Sequence, residues 1–168
     1  MEKRVNRYAV VFTCMALWIA LDQATKAMVT AHLPVGRGFS VIPGCFDIVH
    51  VLNHGAAFGF LNNADTTWQI WLFLGSAVVV AGLIFHIART AEYNLALFLG
   101  LGSILGGAAG NIVDRVRNLA VTDFLDVYWG QWHWPAFNVA DVAICGGVFV
   151  AGAMLFLQDR KKKAEGKC

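Results

Sequence analysis

Four long apolar runs, separated by short charged segments, constrain this chain more than any other feature of its sequence. They lie near residues 8–28, 68–87, 94–113 and 139–157. Each is close to the roughly 20 residues that a helix needs to cross the hydrocarbon core of a bilayer. Only 14% of all residues are charged, whereas soluble domains average about a quarter. The pattern excludes a soluble globule and predicts a mainly α-helical membrane protein, a single integral membrane domain with four transmembrane helices.

The basic residues predict the orientation of this bundle. Lysine and arginine favour the cytoplasmic side of a membrane, and they divide unequally between the two sides. One side holds Lys3, Arg4, Arg7, Arg89, Arg160, Lys161, Lys162, Lys163 and Lys167, and the other holds Lys26, Arg37, Arg115 and Arg117. Both termini are therefore expected in the cytoplasm, with residues 29–67 and 114–138 outside. The outer ends also carry most of the tryptophans, as an aromatic belt would, namely Trp68, Trp71, Trp129, Trp132 and Trp134.

The first apolar run has a second interpretation. Basic residues followed by an apolar stretch are typical of a cleaved signal peptide, and Lys3, Arg4 and Arg7 precede such a stretch. Cleavage would leave three spans and place the C-terminal lysines outside, against the charge rule. The first helix is therefore expected to remain.

Acidic residues collect at the outer ends of the predicted helices. A helix rises 1.5 Å per residue, which places Asp22 and Asp114 near the outer ends of the first and third helices. Asp141 opens the fourth helix, and Asp123 and Asp126 are expected in the loop before it. Carboxylates at membrane depth are rare and usually functional. The sequence therefore predicts a site at the outer membrane surface.

Neighbouring basic residues separate these carboxylates into two groups. Asp22 and Lys26 are spaced to pair on one helix face, with the lysine reaching toward the headgroups. Asp114 precedes Arg115 and Arg117, which favours a structural ion pair. The other group, without a basic residue within four positions, consists of Asp123, Asp126 and Asp141.

The unpaired group predicts acid–base chemistry. Apolar neighbours favour the neutral form of a carboxyl group, and two such groups close together share one proton. One can then take a proton from water while the other donates to a carbonyl oxygen, which hydrolyses a peptide without a metal or a nucleophile. Asn138, three residues before Asp141, is placed to orient a carboxyl group.

Glycines and β-branched residues predict two further features. Gly102, Gly106 and Gly110 share one face of the third helix, a pattern of close helix contact that favours packing within the bundle over dimerisation. Residues 46–52 have the composition of a short strand or hairpin, which leads into Asn53-His-Gly-Ala-Ala-Phe58. The histidine and cysteine spacings match no common metal or redox motif, and no basic patch fits a nucleic acid.

Five sequence blocks in order resemble the bacterial lipoprotein signal peptidase (signal peptidase II) family, and together they extend over essentially the whole chain. Any one block is a weak signal, whereas all five in order are highly specific. They are Asp22-Gln-Ala-Thr-Lys26, Asn53-His-Gly-Ala-Ala-Phe58, Gly106-Gly-Ala-Ala-Gly-Asn-Ile-Val-Asp-Arg115, Val121-Thr-Asp-Phe124 and Phe137-Asn-Val-Ala-Asp141.

The resemblance implies an intramembrane aspartic endopeptidase of the bacterial cytoplasmic (inner) membrane, with its active site at the extracytoplasmic face. Such an enzyme removes the signal peptide of a prolipoprotein just before a diacylglyceryl-modified cysteine. It needs no cofactor, and cyclic peptides of the globomycin type inhibit it. The resemblance makes Asp123 and Asp141 the catalytic pair, and it alone separates Asp123 from Asp126. It implies supporting or substrate-contacting roles for Asn53, Gly55, Asn111, Arg115 and Asn138, and bracing roles for Asp22, Lys26 and Asp114.

Two other classes of function remain as alternatives. A proton-coupled transporter would use the carboxylates as a relay, but it would need them at several depths, and here they collect at one end. A non-catalytic assembly protein would use the glycine face of the third helix, which gives no role to Asp123 or Asp141.

Overall fold

The computed structural model describes residues 6–55 and 68–165. These residues form four long helices and a small antiparallel sheet. The elements are α1 (Arg7–His32), β1 (Gly38–Ile42), β2 (Phe46–Asn53), α2 (Trp68–Thr90), α3 (Leu95–Asn118), β3 (Val121–Trp129), β4 (Trp132–His133) and α4 (Val139–Glu165). Each helix is long and apolar enough to cross a membrane, which confirms the predicted multi-pass membrane protein. Lys3, Arg4, Lys167 and residues 56–58 of the second sequence block lie outside the described residues.

Helix α3 forms the centre of the bundle, and its ends are well defined. It begins where the Asn94 side chain accepts a hydrogen bond from the Leu97 N–H, because an asparagine at this position satisfies an otherwise unpaired donor. It ends at Asn118, and the next residue, Leu119, has a left-handed φ of 58°. The helix thus continues past the predicted end at residue 113 and carries Asn111, Asp114 and Arg115 on one rigid element.

The glycines of α3 bring its neighbours close. A Cβ atom at Gly102 would lie 2.7 Å from the Cys14 Cβ, and one at Gly106 would lie 2.7 Å from the Trp18 Cβ. The glycine face therefore packs against α1 within the bundle, as predicted. Gly107, on a different side of α3, leaves room for the Ala140 carbonyl of α4. The two helices that carry Asp22 and Asp141 thus approach α3 closely.

The sheet has the strand order β1-β2-β3-β4, with all neighbours antiparallel. The predicted strand at residues 46–52 is confirmed as β2. The predicted loop before α4 is wrong, because Asp123 and Asp126 lie on strand β3. Strand β3 forms because it is rich in β-branched and aromatic residues, and β2 pairs with it so that Val51 lies opposite Asp123.

Candidate active site

Asn138 brings Asp123 and Asp141 together. Its side-chain Nδ2 donates to Asp123 Oδ1 at 2.6 Å, and its backbone N–H donates to Asp141 Oδ2 at 3.1 Å. Asn138 lies just before α4 and is fully buried. A single residue at the start of α4 therefore holds the β3 carboxyl and the α4 carboxyl at one site.

The remaining oxygens of the two carboxyl groups also accept hydrogen bonds. Asn53 Nδ2 donates to Asp123 Oδ2 at 3.0 Å, and Asn111 Nδ2 donates to Asp141 Oδ1 at 2.9 Å. Each carboxyl oxygen therefore has an amide donor. Because hydrogen bonds to the charged form stabilise it, these donors favour keeping negative charge at the site.

The orientation of each side-chain amide is fixed by a donor at its other end. Asn53 Oδ1 accepts from the Gly55 N–H at 3.0 Å, and Asn138 Oδ1 accepts from the Asp141 N–H at 3.1 Å. Asn111 Oδ1 accepts from Lys26 Nζ at 2.9 Å. Backbone N–H groups and ammonium groups only donate, so each amide must direct its NH₂ group toward a carboxyl oxygen.

A buried ion cluster lies next to the site and contacts it through the bond from Lys26 to Asn111. Lys26 Nζ lies 2.9 Å from Asp22 Oδ2 and 3.0 Å from Asp114 Oδ2. The predicted Asp22–Lys26 pair is confirmed, but the expectation that Lys26 reaches the headgroups is wrong, since this side chain is only 4% exposed. The predicted pairing of Asp114 with Arg115 or Arg117 is also wrong, because the lysine of α1 occupies that position.

Several donors of the cluster were not expected from the sequence. Gln23 Nε2 donates to Asp114 Oδ1 at 3.0 Å and to Asp22 Oδ2 at 3.2 Å. The backbone N–H of Ala140 donates to Asp22 Oδ1 at 3.0 Å, and that of Thr122 donates to Asp114 Oδ2 at 3.1 Å. Buried charges need such full pairing. The cluster thus connects α1, α3, β3 and α4. The sequence signal for these additional donors was Gln23, a polar side chain within a predicted span.

Arg115 and Gly55 lie together at the edge of the site. Arg115 Nη2 donates to the Gly55 carbonyl oxygen at 2.9 Å, and its guanidinium carbon lies 4.0 Å from the centre of the Phe73 ring. The Arg115 Nε atom is buried and has no hydrogen-bond partner within the described parts of the chain. Arg115 therefore holds the backbone that follows β2 against α3.

Asp126 does not join this site. Its carboxyl group lies 2.9 Å from His133 Nδ1 on β4. Residues three apart on a strand point to opposite faces of the sheet, so Asp126 projects away from Asp123. The structure thus separates two carboxylates that the residue pattern alone left equivalent.

A cavity of about 700 Å³ opens beside both carboxyl groups. Its lining includes Asp123, Asp141 and apolar side chains such as Val51, Val121 and Val142. The pKa of Asp123 is raised to about 6, mainly because the group is buried and in part because of the negative charge of Asp141. Hydrogen bonds from Asn53 and Asn138 and the positive charge of Lys26 act in the opposite direction. The cavity therefore holds a carboxyl group that titrates near neutral pH. Among residues 6–55 and 68–165, no group of three or more His, Cys, Asp or Glu side chains could hold a metal ion.

Comparison with known proteins identifies the family. Residues 14–157 match the family described as signal peptidase (SPase) II. The chain belongs to the signal peptidase II family. It is 48% identical to the lipoprotein signal peptidase of Nitratidesulfovibrio vulgaris strain DP4. The 152 aligned residues cover 90% of this chain and 92% of that protein. It is 52% identical to the lipoprotein signal peptidase of Oleidesulfovibrio alaskensis. The 143 aligned residues cover 85% of this chain and 92% of that protein.

The fold of the chain also matches a solved structure. A bacterial membrane enzyme determined by the in meso method at 2.3 Å resolution superimposes with a TM-score of 0.79 at 26% identity, covering 92% of each chain. As a member of the signal peptidase II family, the chain is a protease that removes signal peptides from prolipoproteins. The transporter and assembly-protein alternatives do not fit this membership.

Proposed function

We propose that Asp123 and Asp141 are the catalytic pair of an aspartic endopeptidase that cuts a prolipoprotein just before its diacylglyceryl-modified cysteine. The observation that carries this proposal is the position of Asn138, which donates to both carboxyl groups beside an apolar cavity. Two carboxyl groups held this way share one proton, because burial disfavours two charges and the fixed amide donors disfavour two neutral groups.

The reaction uses one carboxylate and one carboxylic acid. The carboxylate takes a proton from water while the water oxygen attacks the carbonyl carbon of the scissile peptide, and the acid gives its proton to the carbonyl oxygen. The resulting diol collapses when the C–N bond breaks and the nitrogen receives a proton. The signal peptide leaves with a free carboxyl end, the cysteine gains a free amino group, and the pair regains its single proton.

The other site residues act by positioning. Asn53, Asn111 and Asn138 hold the two carboxyl groups, and Lys26 keeps the Asn111 amide in its productive orientation. Such fixed donors act without reorganisation during the reaction. Arg115 holds Gly55 at the edge of the cavity, where the backbone can contact an extended substrate. Asp22 and Asp114 neutralise Lys26.

The proposal places this site at the extracytoplasmic face of the bacterial inner membrane, with both termini in the cytoplasm. Two observations support this orientation. The sheet and the carboxyl pair lie at one end of the bundle, since Asp141 opens α4, and the run of basic residues from Arg160 to Lys163 lies at the other end of the same helix. Basic residues favour the cytoplasmic side. Globomycin-type cyclic peptides would then inhibit by occupying the apolar cavity that the substrate needs.

Substitution of the acidic residues tests the catalytic assignment. Asp123→Asn and Asp141→Asn should each reduce kcat by roughly three or more orders of magnitude, because each removes one half of the proton exchange. The assay is processing of a diacylglyceryl-prolipoprotein by the full chain in vesicles, with thermal unfolding measured alongside.

The matched control is Asp126→Asn, which changes a carboxyl group on the same strand but on the opposite face. It should keep most of the activity. An inactive Asp126→Asn together with an active Asp123→Asn would show that the pair is wrongly assigned.

A further inference from the structure

Strand β2 contains an extra residue where it passes the catalytic strand β3. Ile48 pairs with Leu125. Val51, three residues further along β2, pairs with Asp123, which is only two residues before Leu125 on β3. The extra residue forms a β-bulge, an irregularity that redirects side chains and is common next to active sites. The register of β2 beside Asp123 therefore depends on this bulge.

The bulge turns the Asn53 side chain toward Asp123. Asn53 pairs with Val121, two residues before Asp123 on β3. Residues paired across antiparallel strands project from the same face, and residues two apart on one strand do so as well. Asn53 therefore shares the face of Asp123, and its Nδ2 donates to Asp123 Oδ2 at 3.0 Å. Without the extra residue, this part of β2 would shift by one position and Asn53 would project from the other face.

His50, within the bulge, connects this part of β2 to the chain that leaves α1. Its backbone N–H donates to the Arg37 carbonyl oxygen at 2.9 Å, and its own carbonyl oxygen accepts from the Gly36 N–H at 2.8 Å. Its ring Nδ1 lies 2.7 Å from the carbonyl oxygen of Leu33, the residue that caps the end of α1. Because a carbonyl oxygen only accepts, Nδ1 must carry the proton. His50 is 3% exposed, so these bonds are shielded from competing water.

The His50 ring influences the site through the backbone. It is directed toward Leu33 at the end of α1, whereas the catalytic cavity lies on the face of Asn53 and Asp123. Removal of the ring donor would leave the Leu33 carbonyl oxygen without this bond, and an unpaired buried acceptor is costly. The bulge would then lose one of the three hydrogen bonds that His50 makes to the end of α1 and the chain that follows it.

We propose that His50 is a positioning residue of the active site, which fixes the bulge in β2 and thereby holds Asn53 against Asp123. The inference rests on the proposed catalytic role of Asp123. Histidine side chains can hydrogen-bond the last carbonyl groups of a helix, and here that bond joins two elements of the site. They are α1, which carries Lys26, and β2, which carries Asn53.

The pH profile of kcat/KM tests the proposal, measured on the full chain in vesicles with a diacylglyceryl-prolipoprotein as substrate. His50→Phe keeps an aromatic ring but removes the donor, so the bond from Asn53 that lowers the pKa of Asp123 should weaken. The fall in kcat/KM should then move to higher pH, by up to about one unit. An unmoved profile, under conditions in which Asn53→Leu does move it, would overturn the proposal.

The matched variant is His50→Asn, which retains a donor because the asparagine Nδ2 branches from Cγ as the imidazole Nδ1 does. It should keep the profile of the unaltered chain. Equal shifts in His50→Asn and His50→Phe would assign the effect to the charge of the ring rather than to its hydrogen bond, and would overturn the proposal.

A double variant distinguishes positioning from a general loss of structure. If His50 acts through Asn53, His50→Phe should not move the profile further when Asn53→Leu is already present. Additive shifts would show that His50 acts by another route. Failure of this inference is distinct from failure of the proposed function, which would appear as an active Asp123→Asn.

Two glycines provide a test that leaves His50 in place, and this test decides if His50→Phe does not fold. Gly36 and Gly44 have left-handed φ values of 77° and 89°, and an added Cβ atom at either would meet nothing within 4 Å. Alanine strains both positions in the same way, but of the two only Gly36 donates to His50. Gly36→Ala should move the fall in kcat/KM to higher pH, and Gly44→Ala should leave it in place at a similar unfolding temperature. Identical profiles for the two variants would contradict the role of His50.

Discussion

At the scale of single residues, the pKa of Asp123 determines how the site responds to pH. Burial raises this pKa to about 6, so Asp123 holds its proton below about pH 6 and loses it as the pH rises further. The proposed reaction needs one proton on the pair. We therefore expect kcat/KM, which reports the free enzyme, to fall as the pH rises through about 6. The kcat profile should fall at higher pH, because a bound substrate excludes more water from the carboxyl groups.

Asn53 provides a directional test of this profile. Its hydrogen bond lowers the pKa of Asp123, so Asn53→Leu should move the fall in kcat/KM to higher pH, by about one unit for a hydrogen bond to a charged group. Asp47→Asn, on the same strand with its carboxyl group bonded to the Tyr128 hydroxyl, is the matched control and should leave the profile in place. A fall that moves to lower pH in Asn53→Leu would contradict this role of the hydrogen bond.

The sequence predicted the polar side chains of the site better than their partners. Asn53, Asn111, Asn138 and Asp141 do form one hydrogen-bonded network with Asp123. The backbone donors could not be anticipated, because the direction of an N–H group depends on how α4 and β3 pack against α1. The partner of Asp114 was missed for the same reason, since neighbours in sequence point elsewhere on a helix and Lys26 arrives from another one.

At the scale of elements, the four helices and strand β2 were predicted, whereas strands β1, β3 and β4 were not. Long apolar runs identify spans without knowledge of packing, although α3 extends to Asn118, past the predicted end at residue 113. Strand β3 was missed because its two aspartates interrupt the apolar pattern. The strand becomes evident only when the side chains of its two faces are considered separately. Recognition of the strand would have placed Asp123 and Asp126 on opposite faces without any family resemblance.

Close packing of α3 against α1 supports the carboxyl pair through the ion cluster. A Cβ atom at Gly110 would lie 2.5 Å from Asp22 Oδ2, so Gly110→Ala should displace Asp22 from Lys26 and from the Ala140 N–H. Overpacking of this kind costs about 1–3 kcal/mol, and we expect a lower unfolding temperature together with slower processing.

The matched control for this substitution is Gly152→Ala on α4, because a Cβ atom there would meet no other atom within 4 Å. Alanine also has a higher helix propensity than glycine, so this variant should be at least as stable as the unaltered chain. Equal unfolding temperatures for Gly110→Ala and Gly152→Ala would show that the approach of α1 to α3 is not sterically limited at this point.

At the scale of the whole molecule, the cavity beside Asp123 and Asp141 adjoins a second, apolar cavity. The second cavity, of about 520 Å³, lies among α2, α3 and α4 and is lined by side chains such as Phe73, Ile104 and Val148. The two cavities share Asn111, Arg115 and Ile144. The polar site therefore borders further apolar space among α2, α3 and α4, which suits a substrate that carries acyl chains next to its scissile bond.

This arrangement predicts that the diacylglyceryl group acts mainly through position. Acyl chains leave one apolar environment for another when they move from the bilayer to the cavity, so their burial contributes little net free energy. They do fix the height of the cysteine at the membrane surface, where we propose that the carboxyl pair lies. Misplacement of a reacting group by about 1 Å lowers rates by about 100-fold. An unmodified prolipoprotein at the same surface density in vesicles should therefore show a kcat lower by about that factor and a smaller change in KM. Equal kcat values for the two precursors would mean that the signal peptide alone positions the scissile bond, and a change confined to KM would mean that the lipid serves binding rather than alignment.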